Sequence, residues 1–181
     1  RHCAALFTLK PDHRELGQAL VRLYFLSGHV PEALDVMRAI HARFNDSKSA
    51  SLPVQWAIHF TQEGPQSAER ALACLDLALP MRTNVTERAT IQILTAENWL
   101  LLGETNTAET IFLDAYHLNP AVNTAIMRLG ALWATRPDGT NQLARLIHAT
   151  PDAYAERLIL TATHQALGQF DVAADVLSNT Y

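Results

Sequence analysis

Apolar residues recur along most of the chain at intervals of three and four, the spacing that places side chains on one face of an α-helix. The stretch NWLLLGETNTAETIF, residues 98–112, contains two such segments separated by Gly103. Similar short segments, divided by glycine or proline, continue through the sequence, and no sustained alternation of apolar and polar residues indicates strands. The pattern therefore predicts an all-α fold built of helical hairpins.

Three of the predicted hairpins align on Gly28, Gly103 and Gly168. Each glycine has a ring four residues before it, alanine five residues after it and a large apolar residue nine after it. The glycines are roughly 70 residues apart, about twice the length of a helical-pair repeat, so each gap is predicted to hold one further hairpin. The aligned positions are Tyr24, Trp99 and His164, then Ala33, Ala108 and Ala173, then Met37, Phe112 and Leu177.

The two gaps contain candidate hairpins at 53–79, around a Gly64-Pro65 turn, and at 121–149, around a Pro137-Asp138-Gly139 turn. One array of eleven helices spanning 1–181 is predicted, with 45–53 as a long loop. Because residue 1 is arginine, we expect the chain to be a fragment of a longer protein. The predicted units are a partial one at 1–11 and full ones at about 12–45, 51–80, 87–120, 121–150 and 152–181.

The units resemble tetratricopeptide repeats (TPR). The family's signature spacing is matched in the third unit by Trp99, Gly103, Ala108, Phe112, Ala115 and Pro120, and in part in the fourth by Leu129, Gly130 and Trp133. The resemblance implies a right-handed α-solenoid of antiparallel hairpins, because a single hairpin cannot bury its apolar stripe without neighbours. Trp99 and Phe112 are expected to be core residues.

In the tetratricopeptide family, the first helix of each pair lines a concave groove that binds a peptide or protein segment. The lysines and asparagines with which some members clamp a carboxylate are absent at the matching places. For Ile93 and Leu158, packing between repeats is an equal alternative. The groove that the resemblance implies contains Gln18, Arg22, Phe25, Ile93, Glu97, Leu100, Met127, Arg128, Leu158 and Gln165, with Ala131, Ala162, Val54 and Ile58 as further positions.

We therefore expect a non-enzymatic scaffold for protein–protein interaction. One alternative is a regulatory or substrate-recruiting arm of a larger bacterial enzyme such as a glycosyltransferase. Another is a spacer in a cell-envelope export or pilus assembly machine. Uncapped terminal repeats would also allow a homo-oligomer. The preference for arginine over lysine and the high alanine content favour a bacterial source, whereas the compartment is left open.

The net charge and the distribution of apolar residues disfavour several other classes of function. The net charge of -4 disfavours nucleic acid as a partner, and with it the pentatricopeptide repeats that bind single-stranded RNA. No apolar run reaches the ~18 residues of a membrane-spanning helix, so no membrane insertion is expected. Apolar residues make up 49% of the chain, which is ample material for a core without disulfides.

Titratable residues give no pattern typical of a catalytic or metal site. The eight histidines form no ligand set, and His41, His117 and His148 fall near predicted helix ends, where a cation is favoured by the helix dipole. There is no glycine-rich phosphate loop and no nucleophile elbow. Cys3 and Cys74 lie in apolar surroundings typical of buried cysteines. No catalytic residue, cofactor or metal is expected.

Overall fold

The computed structural model of the chain describes residues 12–137, 139–150 and 152–178, and the partial unit predicted at 1–11 lies outside them. The described residues form ten α-helices and no strand, which confirms the all-α prediction. Two short 3-10 helices cover Pro65–Ser67 and Leu79–Met81. The α-helices are α1 Arg14–Leu26, α2 Val30–Phe44, α3 Ser47–Glu63, α4 Ala68–Ala78, α5 Val85–Leu101, α6 Thr105–Leu118, α7 Asn123–Ala134, α8 Gly139–Ala149, α9 Ala153–Ala166 and α10 Phe170–Ser178.

The described residues divide into two compact units, those up to Thr83 and those from Asn84 onward, and the boundary falls between the second and third helical pairs. In the first unit α1 packs on α2, α2 on α3, and α3 on α4. In the second unit α5 packs on α6, α6 on α7, α7 on both α8 and α9, and α9 on α10. The ten helices therefore form five consecutive pairs, and the first helices of the last two pairs touch each other directly.

The three aligned glycines each end the first helix of a pair in the same way. Gly28, Gly103 and Gly168 have φ angles of 77°, 81° and 74°, in the left-handed region that favours glycine. The next N–H in the chain reaches back to a carbonyl five residues earlier, which is the Schellman arrangement. The carbonyl belongs to the ring residue of the aligned pattern: His29 donates to Tyr24 (2.8 Å), Glu104 to Trp99 (2.9 Å) and Gln169 to His164 (2.8 Å).

Replacing Gly103 with alanine is expected to lower the free energy of unfolding by about 1 to 2 kcal/mol, the penalty for a Cβ in the left-handed region. Steric crowding adds nothing, because a Cβ at Gly103 would meet no atom within 4 Å. Gly103→Asn is the matched control, since asparagine tolerates this conformation better than alanine does. Urea denaturation measures both. Equal losses for the two variants would mean that the turn conformation is not the cause.

The second pair departs from the prediction, because the segment at 45–53 is not a loop. Helix α3 already begins at Ser47, after Asn45 has turned the chain with a φ of 45°. Asp46 and Ser49 form a reciprocal capping box, which satisfies N–H groups at the helix start. Pro53 lies inside the helix and is buried, although proline usually interrupts one. A proline at this position favours a loop in the sequence, whereas the structure continues the helix through it.

A polar cluster holds the start of α3 against α1 and α2. The Arg14 guanidinium lies 2.5 Å from Asp46 Oδ2 and 4.3 Å from the centre of the Phe44 ring. His41 Nδ1 lies 3.1 Å from the Ser49 hydroxyl oxygen. The Arg14 guanidinium, followed by the N–H of Ser49, lowers the pKa of Asp46 from 3.8 to about 2. The cluster therefore stabilises the charged form of Asp46.

This lowered pKa predicts an acid-dependent contribution to stability. Because the folded pKa of Asp46 is below the unfolded value, its contribution is present above about pH 4 and is lost as the pH falls towards 2. The wild type should therefore lose more stability between about pH 6 and about pH 3 than Arg14→Gln loses. Urea denaturation at both pH values measures the difference. Identical pH dependence in the two proteins would contradict the role of Arg14.

Each unit has its own apolar core. In the first, the Phe25 ring lies 4.7 Å from Trp56 and 4.9 Å from Phe60, centre to centre, which fixes α1 against α3. In the second, Phe112 is fully buried in a cluster that α5 to α9 share. The prediction that Phe112 is a core residue is confirmed. Trp99, the other residue expected in the core, is only half-buried and packs against this cluster from outside it.

Candidate functional site

A surface recess of about 490 Å³ lies between α7 and α9 in the second unit, and we call it the α7–α9 recess. Five of its residues are positions that the resemblance had assigned to the groove. They come from the fourth and fifth helical pairs, which were aligned independently. The lining residues are Thr124, Met127, Arg128 and Ala131 from α7, and Ala162, Gln165 and Ala166 from α9.

Helical spacing places these residues together. On α7, Met127 and Arg128 follow Thr124 by three and four residues, and Ala131 follows them by four and three. On α9, Gln165 and Ala166 follow Ala162 by three and four residues, so each set shares one helix face. Behind the recess the two helices approach closely at Gly130, where a Cβ would lie 3.1 Å from Ile159 Cγ2 and 3.2 Å from its carbonyl oxygen. The alanines of the lining leave room where larger side chains would fill the recess.

Arg128 is the one charged residue among the described residues that line the α7–α9 recess, and it is paired with Glu97 on α5. Its Nη2 and Nε atoms lie 2.6 and 2.9 Å from Glu97 Oε1. The Arg128 side chain is 54% exposed and that of Glu97 is 23% exposed. Such a pair stabilises the fold by at most about 1 kcal/mol. In this pair, each side chain holds the other in place.

A second recess, of about 410 Å³, lies between α1 and α3 in the first unit, and we call it the α1–α3 recess. Arg22 on α1 faces Gln55, Trp56 and His59 on α3 across it. Sequence alignment had placed Val54 and Ile58 at this surface.

That assignment is off by one residue along α3. Val54 is half-buried, and the recess is lined by the residues that follow Val54 and Ile58 in the chain. The contact of Trp56 and Phe60 with Phe25 sets the rotation of α3. The recess that results combines a cation with aromatic and amide groups.

The remaining predicted groove residues differ in burial. Phe25 and Ile93 are only 4% and 5% exposed and belong to the cores, which corrects their assignment to an open surface. For Ile93, the packing alternative is therefore the correct one. Leu100 and Leu158 are half-buried, and Leu100 packs against the core of the second unit. Gln18 is exposed on α1.

The described residues do not meet the requirements of a metal site, a reactive cysteine or a membrane-spanning helix. Within 12–137, 139–150 and 152–178, no three His, Cys, Asp or Glu side chains are grouped as metal ligands. Burial raises the pKa of the Cys74 thiol to about 12, so Cys74 stays protonated and is a poor nucleophile. No helix of this part of the chain is both long and apolar enough to cross a membrane. His41, His117 and His148 lie in the last turns of α2, α6 and α8.

Comparison with protein-family models gives no match, and comparison with curated proteins gives none either.

Proposed function

We propose that the chain is a protein-interaction scaffold of the tetratricopeptide type, a right-handed α-solenoid that binds a peptide or protein segment on its first helices. One observation carries the proposal. Five positions transferred from the family resemblance, in two different helical pairs, line the same recess: Met127, Arg128, Ala131, Ala162 and Gln165.

The chemistry of the α7–α9 recess suits an apolar side chain with a polar neighbour. Ala131 and Ala162 form a small apolar floor, and Met127 is a flexible thioether that adapts to different shapes. Arg128 and Gln165 supply hydrogen-bond donors at the rim. An amphipathic helix or an extended segment could therefore place one apolar residue in the recess and a polar residue beside it.

Two other roles for the same scaffold are retained as proposals. The array could recruit substrate for a larger enzyme, or it could be a spacer in an envelope assembly machine. The two roles differ in what is joined to the array. The sequence of the full-length protein separates them, since only the first requires a catalytic domain in the same chain.

Self-association is a second candidate, favoured by an exposed stripe on the last helical pair. Leu167, Phe170 and Leu177 are 49%, 68% and 47% exposed. Phe170 and Leu177 share one face of α10 with Ala174, which is also exposed, and Leu167 lies at the end of α9, before the turn to α10. A solenoid normally covers such a face with a further repeat or a cap. Another copy of the chain is one way to cover it.

Site-specific photo-cross-linking tests the binding surface. A photoreactive phenylalanine analogue is placed at Gln165, at the rim of the α7–α9 recess, and separately at Asp114, exposed on α6. In native cells, we expect one discrete protein adduct from position 165 and none from position 114. An adduct of the same partner from 114 alone would place binding elsewhere and contradict the proposal.

A further inference from the structure

A recess of different chemistry lies between the second helices α6 and α8 in the second unit. It has a volume of about 330 Å³, and we call it the Trp133 cleft. Its walls are formed by Leu113 and Tyr116 from α6, Trp133 from the end of α7 and Leu146 from α8. The walls are almost entirely apolar, with two aromatic rings. The cleft is therefore suited to an apolar ring rather than to a polar chain.

Two polar groups at this cleft have no partner among the described residues. The side-chain carbonyl oxygen of Gln142 is shielded from solvent and accepts no hydrogen bond from any described residue. Arg145 is exposed and has no ion pair among the described residues. Gln142 and Arg145 are three residues apart on α8, so both lie on the face that lines the cleft. A ligand here could satisfy an acceptor and a cation together.

The carboxylate at the cleft already has partners. Arg145 is therefore the cation of the cleft that has no acidic partner among the described residues. The Glu109 carboxylate accepts a hydrogen bond from Trp133 Nε1 at 2.9 Å. Its second oxygen is paired with Arg136, so the charge of Glu109 is compensated. His117 at the rim adds no negative charge. The electrostatics of the cleft therefore favour a carboxylate near Arg145.

We propose that the Trp133 cleft binds a tryptophan side chain of a protein partner, next to a carboxylate that pairs with Arg145. The indole ring would lie between the apolar walls, and its N–H would donate to the carbonyl oxygen of Gln142. Indole is a donor without an acceptor, so it matches an unsatisfied acceptor, whereas phenylalanine does not. The terminal torsion of glutamine is soft, so the amide can turn towards an entering donor.

This site is separate from the first-helix recesses, and its test does not depend on the proposed function. The probes are N-acetyl-L-tryptophan, which carries both the indole N–H and a carboxylate, its amide, which lacks the carboxylate, and its 1-methyl derivative, which lacks the N–H. Each is titrated into isotope-labelled protein and followed by NMR. We expect saturable shifts at residues of the cleft, with a Kd of about 1 mM or weaker for such a small probe.

The analogues and two variants separate the two polar contacts. For wild type, the amide should bind about two- to fivefold more weakly than the acid, as for an exposed ion pair. The 1-methyl derivative should bind about fivefold more weakly or worse, because it cannot donate. Arg145→Gln should remove the first difference and Gln142→Leu the second. The matched control Arg88→Gln, an exposed arginine on α5, should change neither.

Three results would overturn the proposal. One is the absence of saturable shifts for N-acetyl-L-tryptophan up to its solubility limit. Another is equal binding of the acid and the 1-methyl derivative to wild type, because Gln142 then makes no contact with the ring. The third is an unchanged preference for the acid over the amide in Arg145→Gln, because the carboxylate then lies elsewhere.

Discussion

Replacing Phe112 with alanine is expected to lower the free energy of unfolding by about 3 to 5 kcal/mol, the usual cost of removing a fully buried aromatic side chain. Phe112 is 0% exposed and lies in the core that α5 to α9 share. Its ring also occupies the place of the large apolar residue in the aligned pattern. Urea denaturation at neutral pH, with the slope compared between variants, measures the effect.

Trp99 provides the internal comparison for this prediction. Its ring is half-buried and packs at the edge of the same core. Trp99→Ala should therefore cost about 1 to 3 kcal/mol, less than Phe112→Ala, although tryptophan is larger. Asp114→Ala, on the exposed face of α6, should change stability by less than about 0.5 kcal/mol. A larger loss for Trp99→Ala than for Phe112→Ala would contradict the described packing.

Replacing Glu109 with alanine is expected to cost about 2 to 3 kcal/mol, because it leaves two donors without a partner. The Glu109 side chain is 16% exposed and that of Arg136 is 22% exposed, so the cost is below that of a fully buried pair. Glu109 accepts from Trp133 Nε1 and pairs with Arg136, while Arg136 also donates to Asn106 Oδ1 at 3.3 Å. These contacts join α6 to the end of α7.

A double-mutant cycle with Arg136→Gln tests whether the loss comes from this pair. The two substitutions should be non-additive by about 1 kcal/mol, because the interaction can be lost only once. Arg88→Gln, at an exposed position on α5, should combine additively with Glu109→Ala. Additivity in both cycles would mean that Glu109 does not stabilise the protein through Arg136.

Local features of the fold could be predicted from the sequence. The turns at Gly28, Gly103 and Gly168 depend on backbone conformation within a few residues, and the glycine-centred pattern carries that information. The alanines five residues later are also local in origin, and Ala33 and Ala108 are fully buried as small contact residues. The pattern therefore indicated where the first helix of each of these three pairs ends.

Features set by packing could not be predicted in the same way. A shift of one residue rotates a helix face by about 100°. A small error in register therefore places Val54 at the α1–α3 recess, where the structure has Gln55. The burial of Phe25 and Ile93 depends on which neighbour covers them. The pair between Glu97 and Arg128 joins residues 31 positions apart, and no local spacing indicates it.

The most direct test of the account is calorimetric binding of the partner cross-linked from position 165. Ala166→Trp fills the α7–α9 recess from an exposed position at the end of α9. Asp114→Trp is the control, which adds the same side chain at an exposed position on α6. Circular dichroism and urea denaturation establish that both variants fold. The account predicts that Ala166→Trp weakens binding at least about tenfold, a loss of about 1.4 kcal/mol, and that Asp114→Trp leaves binding unchanged. Unchanged binding by Ala166→Trp, together with weakened binding by Asp114→Trp, would contradict it.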